Sequence, residues 1–306
     1  MRIGAFVLAA GPSWDWERRV AAIADAEARG FDSAWIANIR EYDALTLLAL
    51  AGQRTSRIEL GTFVVPTYPR HPSSLAQQAL TTQAICNGRL ALGIGLSHRV
   101  SMEGGLGFDW NHPIRHMREY LTCLERLFTG EPASFAGQEF TLNEYQLSMA
   151  GATRPALLVA ALGPQMLKLT GALADGTALW MGGPKYIRDH VVPIMGEAAA
   201  AAGRPSPRVV AGLPVCVTDN RDAVRARAED VFARYGQLPS YRAILDKEGA
   251  ASPTDVSLIG TEAQVEDGIA QLREAGATEL AAAVFAPRGE DPERTNALLR
   301  RLKAGS

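Results

Sequence analysis

Short apolar runs alternate with amphipathic segments along almost the whole chain. Two runs set the pattern: residues 57–72 (RIELGTFVVPTYPRHP) and 88–99 (GRLALGIGLSHR) are apolar on successive positions, not on alternate ones. Such a strand buries both faces, as strands do in a parallel sheet covered by helices. The same reading predicts strands over 3–9, 33–38, 58–65, 90–95, 156–161, 176–181, 209–217 and 279–285. Between them, helical spacing covers 16–29, 45–55, 74–86, 115–128, 165–174, 187–202, 221–235, 262–274 and 292–303. Gly30 and Gly203 stand where helices should stop, and Pro164 and Pro292 where helices should start. Eight β/α units in 306 residues predict an α/β fold, a closed (β/α)8 TIM barrel forming one domain over 1–306.

Three stretches break the rhythm. Residues 97–113 (SHRVSMEGGLGFDWNHP) read as a Gly-rich loop after strand 4, and 131–153 as a hairpin around Gly137-Gln138. Residues 236–258 form a mixed polar stretch after strand 7, read as a lid. Insertions of this length in a compact domain are usually functional or disordered.

Composition removes several classes. The net charge is −2 with no basic block, so neither nucleic acid nor an anionic membrane is an expected partner. Cys86, Cys123 and Cys216 lie far apart without a C-x-x-C, which argues against a zinc site and a disulfide framework. The apolar start is short and runs straight into Gly-Pro-Ser-Trp, which favours a first strand over a signal peptide. A soluble, cytoplasmic protein is expected.

In such a barrel the chemistry sits at the carboxyl ends of the strands. Gly163-Pro164 closes one strand and opens a helix, whose free N–H groups and dipole suit a phosphate. Gly-Pro is equally a plain strand-to-helix turn. Gly93-Ile94-Gly95 lacks the third glycine of a dinucleotide fingerprint, so its small residues point instead to close backbone or ligand approach. Ser97 and His98 follow that strand, and the histidine suits a proton donor or an anion partner, or is a surface loop residue. Asn38 ends the second strand, where a polar residue fits ligand contact better than packing. Trp180 ends another and is placed either to stack on a planar ligand or to fill the barrel core. His112 and His116 have i, i+4 spacing, but Pro113 interrupts and no Glu follows the H-E-x-x-H pattern, so no metal is expected. No nucleophile–histidine arrangement can be assigned.

Five stretches in order give the chain a family likeness: GFDSAWIAN (30–38), RIELGTFVVPTYPRHP (57–72), GRLALGIGLSH (88–98), PALLVAALGPQMLKLTGALADGTALW (155–180) and LIGTEAQVEDGIAQLREAGATEL (258–280). Together they resemble the bacterial luciferase-like monooxygenase superfamily, in its branch that uses the deazaflavin coenzyme F420. The resemblance implies a cis peptide at Phe63–Val64, in a bulge with Val65 against the coenzyme's central ring. It implies a phosphate held by Ser97, His98 and the backbone of Ala161, Leu162, Gly163 and Pro164, with Asn38 and Trp180 also at the coenzyme. Catalytic roles would fall to Asn38 and His98. One departure stands out: relatives commonly carry Asp-His at the end of the second strand, where this chain has Asn38-Ile39. Protonation would then pass to His98, Tyr42 or water.

The implied activity is hydride transfer between F420 and a small organic substrate. The mouth aromatics named by position (Trp14, Trp16, Tyr42, Phe63, Trp110, Trp180) suggest an apolar or aromatic one. The alternatives are an FMN-dependent monooxygenase fed by a separate reductase and, in another class, a non-catalytic flavin-binding barrel. An aldolase or isomerase is weaker, for want of a Lys or Glu base at a strand end. A homodimer is expected by analogy.

Overall fold

A computed structural model describes residues 1–7 and 14–304. Eight parallel strands pair in chain order and close on themselves: Arg2–Phe6, Ser33–Ile36, Glu59–Thr62, Leu90–Gly95, Ala156–Val159, Gly176–Trp180, Arg208–Val217 and Glu279–Val284. The third resumes at Val65–Pro66 against Ile94 and Gly95, leaving Phe63 and Val64 outside the ladder. The eighth pairs with both the seventh and the first, so the sheet has no free edge in the barrel wall. This is the expected (β/α)8 barrel.

The helices begin where the sequence supplies caps. Asp15 and Asp43 accept the N–H groups of Arg18 and Thr46 at the starts of helices Trp16–Ala28 and Ala44–Gly52, and Thr261 closes a capping box on Glu262–Glu274. Gly30 and Gly203 stand just past helix ends at φ of 86° and 65°, a region open to glycine at little cost.

The barrel interior is layered. Its floor is ionic and is built from strand-starting residues. Glu279, fully buried, accepts from Ser33 Oγ, from Trp35 Nε1 at 2.8 Å and from Arg208 at 2.9 Å. Arg2 and Arg208 also pair with Glu59, at 2.6 and 2.8 Å. Above the floor the Trp35 ring lies across Gly61, where an added Cβ would sit 2.1 Å from it. The upper layer is aromatic and forms the barrel's mouth.

Two of the irregular stretches are more ordered than the sequence suggests. Residues 97–113 contain a helix, Arg99–Leu106, which buries only Met102 and so shows no apolar periodicity. Residues 236–258 contain the helix Pro239–Glu248, a 3₁₀ turn at Pro253–Val256 and a short strand, Leu258–Gly260, beside the end of the seventh strand. The expected hairpin is present as Ala133–Ala136 and Thr141–Tyr145, its turn held by the Glu119 carboxylate, which accepts three N–H groups from Gln138, Glu139 and Phe140. The expected helix over 187–202 starts earlier, at Pro184–Tyr186, and passes through a π-turn at Ile187–Val191 before Val192–Ala201. The end of the expected first strand, residues 8–9, lies outside the described residues. No helix among the described residues is long and apolar enough to cross a membrane.

Candidate functional site

Four strand ends and one insertion converge on the mouth. At the third strand the Phe63–Val64 peptide is cis, the bond the family resemblance implied. Opposite it, the fourth strand is stripped to glycine. A Cβ on Gly95 would lie 2.8 Å from Val64 Cγ2 and 3.1 Å from Ala160 Cβ, and one on Gly93 would lie 2.1 Å from the Thr62 carbonyl oxygen. The bulge can rest on that strand only because these positions lack side chains.

Phe63 turns inward, 8 % exposed, with its ring 4.9 Å from Phe6. Phe6 meets the edge of Trp180 at 5.3 Å. Gly212 on the seventh strand leaves room for both: its Cβ would come within 3.0 Å of the Phe63 and Trp180 rings. Trp180, at 9 % exposure, is walled by aromatic neighbours and does not present an open face. It packs edge-on against Phe232 at 6.2 Å and Tyr235 at 6.0 Å, both from the helix Arg221–Gln237. Tyr235 meets Tyr241 at 5.0 Å, and Tyr241 lies 5.9 Å from His98. The helix after strand 7 and the insertion that follows it therefore roof the mouth with their rings.

Ser97 and His98 follow the fourth strand. Ser97 takes φ of 63°, a left-handed conformation that side chains rarely adopt, and Met181 after the sixth strand takes 58°. Local strain of this kind gathers at functional sites. Burial, reinforced by the Arg234 charge, holds His98 below the ordinary imidazole range, so it is neutral at pH 7.

The turn at 160–164 is fixed from three sides. Ala160 N–H donates to the Ile94 carbonyl, Ala161 N–H to Thr177 Oγ1, and the Tyr186 hydroxyl to the Leu162 carbonyl at 2.6 Å. Gly163 is the N-cap of helix Pro164–Leu173 and brings no side chain to it. Among the described residues the N–H groups of Gly163, Gln165 and Met166 have no partner, and a Cβ on Gly163 would meet nothing within 4 Å. The turn is rigid, open and electropositive.

Other residues named from sequence have protein partners of their own. Asn38, just past the end of the second strand, accepts the Ala44 N–H on Oδ1 at 2.9 Å. Tyr42 lies under the Arg19 guanidinium and Trp14 under Arg18. Trp110 stacks on Tyr68 at 4.9 Å, and Tyr68 stacks on His116 at 4.1 Å. His116 is buried and hydrogen-bonded to Thr67 Oγ1 at 3.0 Å. Sequence reasoning missed Phe6, Phe232, Arg234, Tyr235, Tyr241 and Glu248. Pro239 and Gly249, one starting and one stopping the helix between them, were the available signal for part of that set.

A closed barrel whose strand ends carry a bulge, a glycine wall and an open helix start has the build of a (β/α)8 enzyme. The chain belongs to the luciferase-like monooxygenase family, whose model matches residues 1–279. It is 30% identical over 311 residues to the 5,10-methylenetetrahydromethanopterin reductase of Archaeoglobus fulgidus, covering 90% of this chain and 91% of that one. Its fold matches the coenzyme F420 dependent tetrahydromethanopterin reductase of Methanopyrus kandleri at TM-score 0.83 and 24% identity, over 98% of this chain and 97% of that one. It also matches the FMN complex of the oxygenating constituent of 3,6-diketocamphane monooxygenase from Pseudomonas putida, at TM-score 0.75 and 18% identity, over 99% and 96% of the two chains.

Proposed function

We propose that this protein is an F420-dependent oxidoreductase that transfers a hydride between the coenzyme, bound in the barrel mouth, and a small apolar or aromatic substrate. The observation that carries the reading is the pairing of the cis bulge on Gly93 and Gly95 with the open turn at Gly163. The two glycines let the bulge sit low in the barrel wall, where a planar ring would rest against it, and a phosphate on the ring's tail would need unpaired N–H donors such as those at Gly163 after the next strand. Phe63, Val64 and Val65 would back the ring; Ala161, Leu162, Gly163 and Pro164, with Ser97 and His98, would take the phosphate. When bound, the coenzyme supplies two-electron hydride chemistry, and the protein supplies orientation and charge.

The whole-length likeness to a tetrahydromethanopterin reductase favours F420, and the likeness to an FMN-bound monooxygenase keeps FMN as the rival. Turnover separates them. The protein is mixed with reduced F420 and a panel of organic acceptors under nitrogen, then with reduced FMN and oxygen. Oxidation of reduced F420 coupled to substrate reduction supports the proposal; oxygen-dependent product from FMN alone defeats it.

A further inference from the structure

We infer that Tyr235 is the acid that protonates the oxygen of a carbonyl substrate, supplied by the helix after strand 7 in place of an acid on the second strand. The inference rests on the hydride-transfer reading above and names the substrate group that reading leaves open.

The second strand has no proton to offer. Its last polar residue is Asn38, an amide whose oxygen is already engaged by Ala44, and the next residue, Ile39, is apolar and 57% exposed. Tyr235 lies on the helix that follows strand 7 and is joined to the bulge through two rings. Its ring lies against Trp180, Trp180 lies against Phe6, and Phe6 lies against Phe63 at the bulge. His98 is joined to Tyr235 only through Tyr241.

Two neighbours make Tyr235 suited to give up a proton. The buried Trp180 Nε1–H has no hydrogen-bond partner among the described residues, and its ring lies beside the Tyr235 phenol, where the N–H favours the phenolate. The adjacent Arg234 makes no ion pair among the described residues, and its charge also favours the phenolate. Burial outweighs both and raises the phenol above its ordinary range, so Tyr235 rests protonated at neutral pH. A donor that is protonated at rest, with a cation and an N–H ready for its conjugate base, meets both requirements of a general acid. Trp180 and Arg234 are positioning residues.

With reduced F420 as the bound hydride donor, the carbonyl carbon would gain the hydride while its oxygen would accept the Tyr235 proton. The C=O π bond would break and C–H and O–H bonds would form. The ketone would become a secondary alcohol, and the coenzyme, oxidised by loss of the hydride, would release one proton to solvent. The tyrosinate regains its proton from water.

The test uses cyclohexanone and acetophenone with reduced F420, followed at 420 nm, and the variants Tyr235→Phe, Arg234→Gln and Tyr145→Phe, the last on the exposed hairpin. F420 affinity is measured for each by fluorescence quenching. The inference expects Tyr235→Phe to lower kcat by about 100-fold or more, with F420 affinity within about twofold and the solvent isotope effect changed. Arg234→Gln should lower kcat and shift its pH profile, and Tyr145→Phe should match the wild type. Full rate and an unchanged isotope effect in Tyr235→Phe would overturn the inference, as would a wild type that binds F420 and reduces neither ketone. A wild type that binds no F420 would refute the underlying reading instead.

Discussion

Glu248 caps the helix that begins at Pro184: its carboxylate accepts the Tyr186 N–H at 2.6 Å and the Lys185 N–H at 3.2 Å. The chain thus has two Gly-Pro helix starts after neighbouring strands, treated in opposite ways. At Gly183-Pro184 the protein fills the electropositive helix end with its own acid, and a Cβ on Gly183 would lie 2.3 Å from it. At Gly163-Pro164 the end is left open. The Tyr186 hydroxyl on the Leu162 carbonyl joins the two turns.

Gly163→Asp should therefore separate stability from binding. Aspartate is a stronger N-cap than glycine and the position has space, so the helix should gain roughly a few tenths of a kcal/mol. The new carboxylate would take the N–H groups assigned to the coenzyme phosphate. Thermal melts should show an unchanged or higher Tm, while F420 affinity falls at least about tenfold, a loss of about 1.4 kcal/mol.

Glu248→Ala should loosen the roof and spare the barrel. It removes the carboxylate linking the helix Pro239–Glu248 to the sixth loop, a capping loss of about 0.5–2 kcal/mol. Hydrogen exchange should quicken across 238–250 and at the Lys185 and Tyr186 amides. The barrel strands should keep their protection.

The fourth strand tolerates no side chain at Gly95. Gly95→Val would press on Val64 and Ala160, an overpacking cost of about 1–3 kcal/mol. Relief by moving the bulge should abolish coenzyme binding at temperatures where circular dichroism still reports a folded barrel. Gly196→Ala, placed in open space on the helix Val192–Ala201, is the matched control.

His116 makes stability depend on acid. Burial lowers it from 6.5 to about 4, against the opposing pull of Glu139 and Glu119. The unfolded chain therefore binds a proton between pH 6.5 and 4 that the folded chain refuses. The contribution is fully present above pH 6.5 and is lost as pH falls towards 4, by up to about 3 kcal/mol. Urea unfolding at pH 7 and pH 4.5 should show that loss, and His116→Gln should flatten it.

The barrel was legible because each strand is buried on both faces, and a continuous apolar run such as 90–95 admits little else at that length. The cis bond was reached through family resemblance, since nothing in the local spacing around Phe63 distinguishes a bulge from a plain strand, whereas the open helix start was legible from Gly163-Pro164 itself. The roof was hidden for a physical reason. Phe232 and Tyr235 lie on the helix Arg221–Gln237, whose many charged residues read as an ordinary outer helix. Their packing on Trp180 is a contact between residues more than fifty positions apart. The bond from Ala44 to Asn38 was equally hidden, because a side chain that meets a helix start six residues away leaves no local signature.

The central claim is that the mouth of this barrel takes a deazaflavin by its ring and its phosphate together. Equilibrium fluorescence titration of the wild-type protein with F420, its phosphate-free riboside and FMN tests it most directly. Saturable quenching by F420, at least about tenfold tighter than for the riboside or FMN, is the expected result. Saturation by FMN with no response to F420 would contradict it.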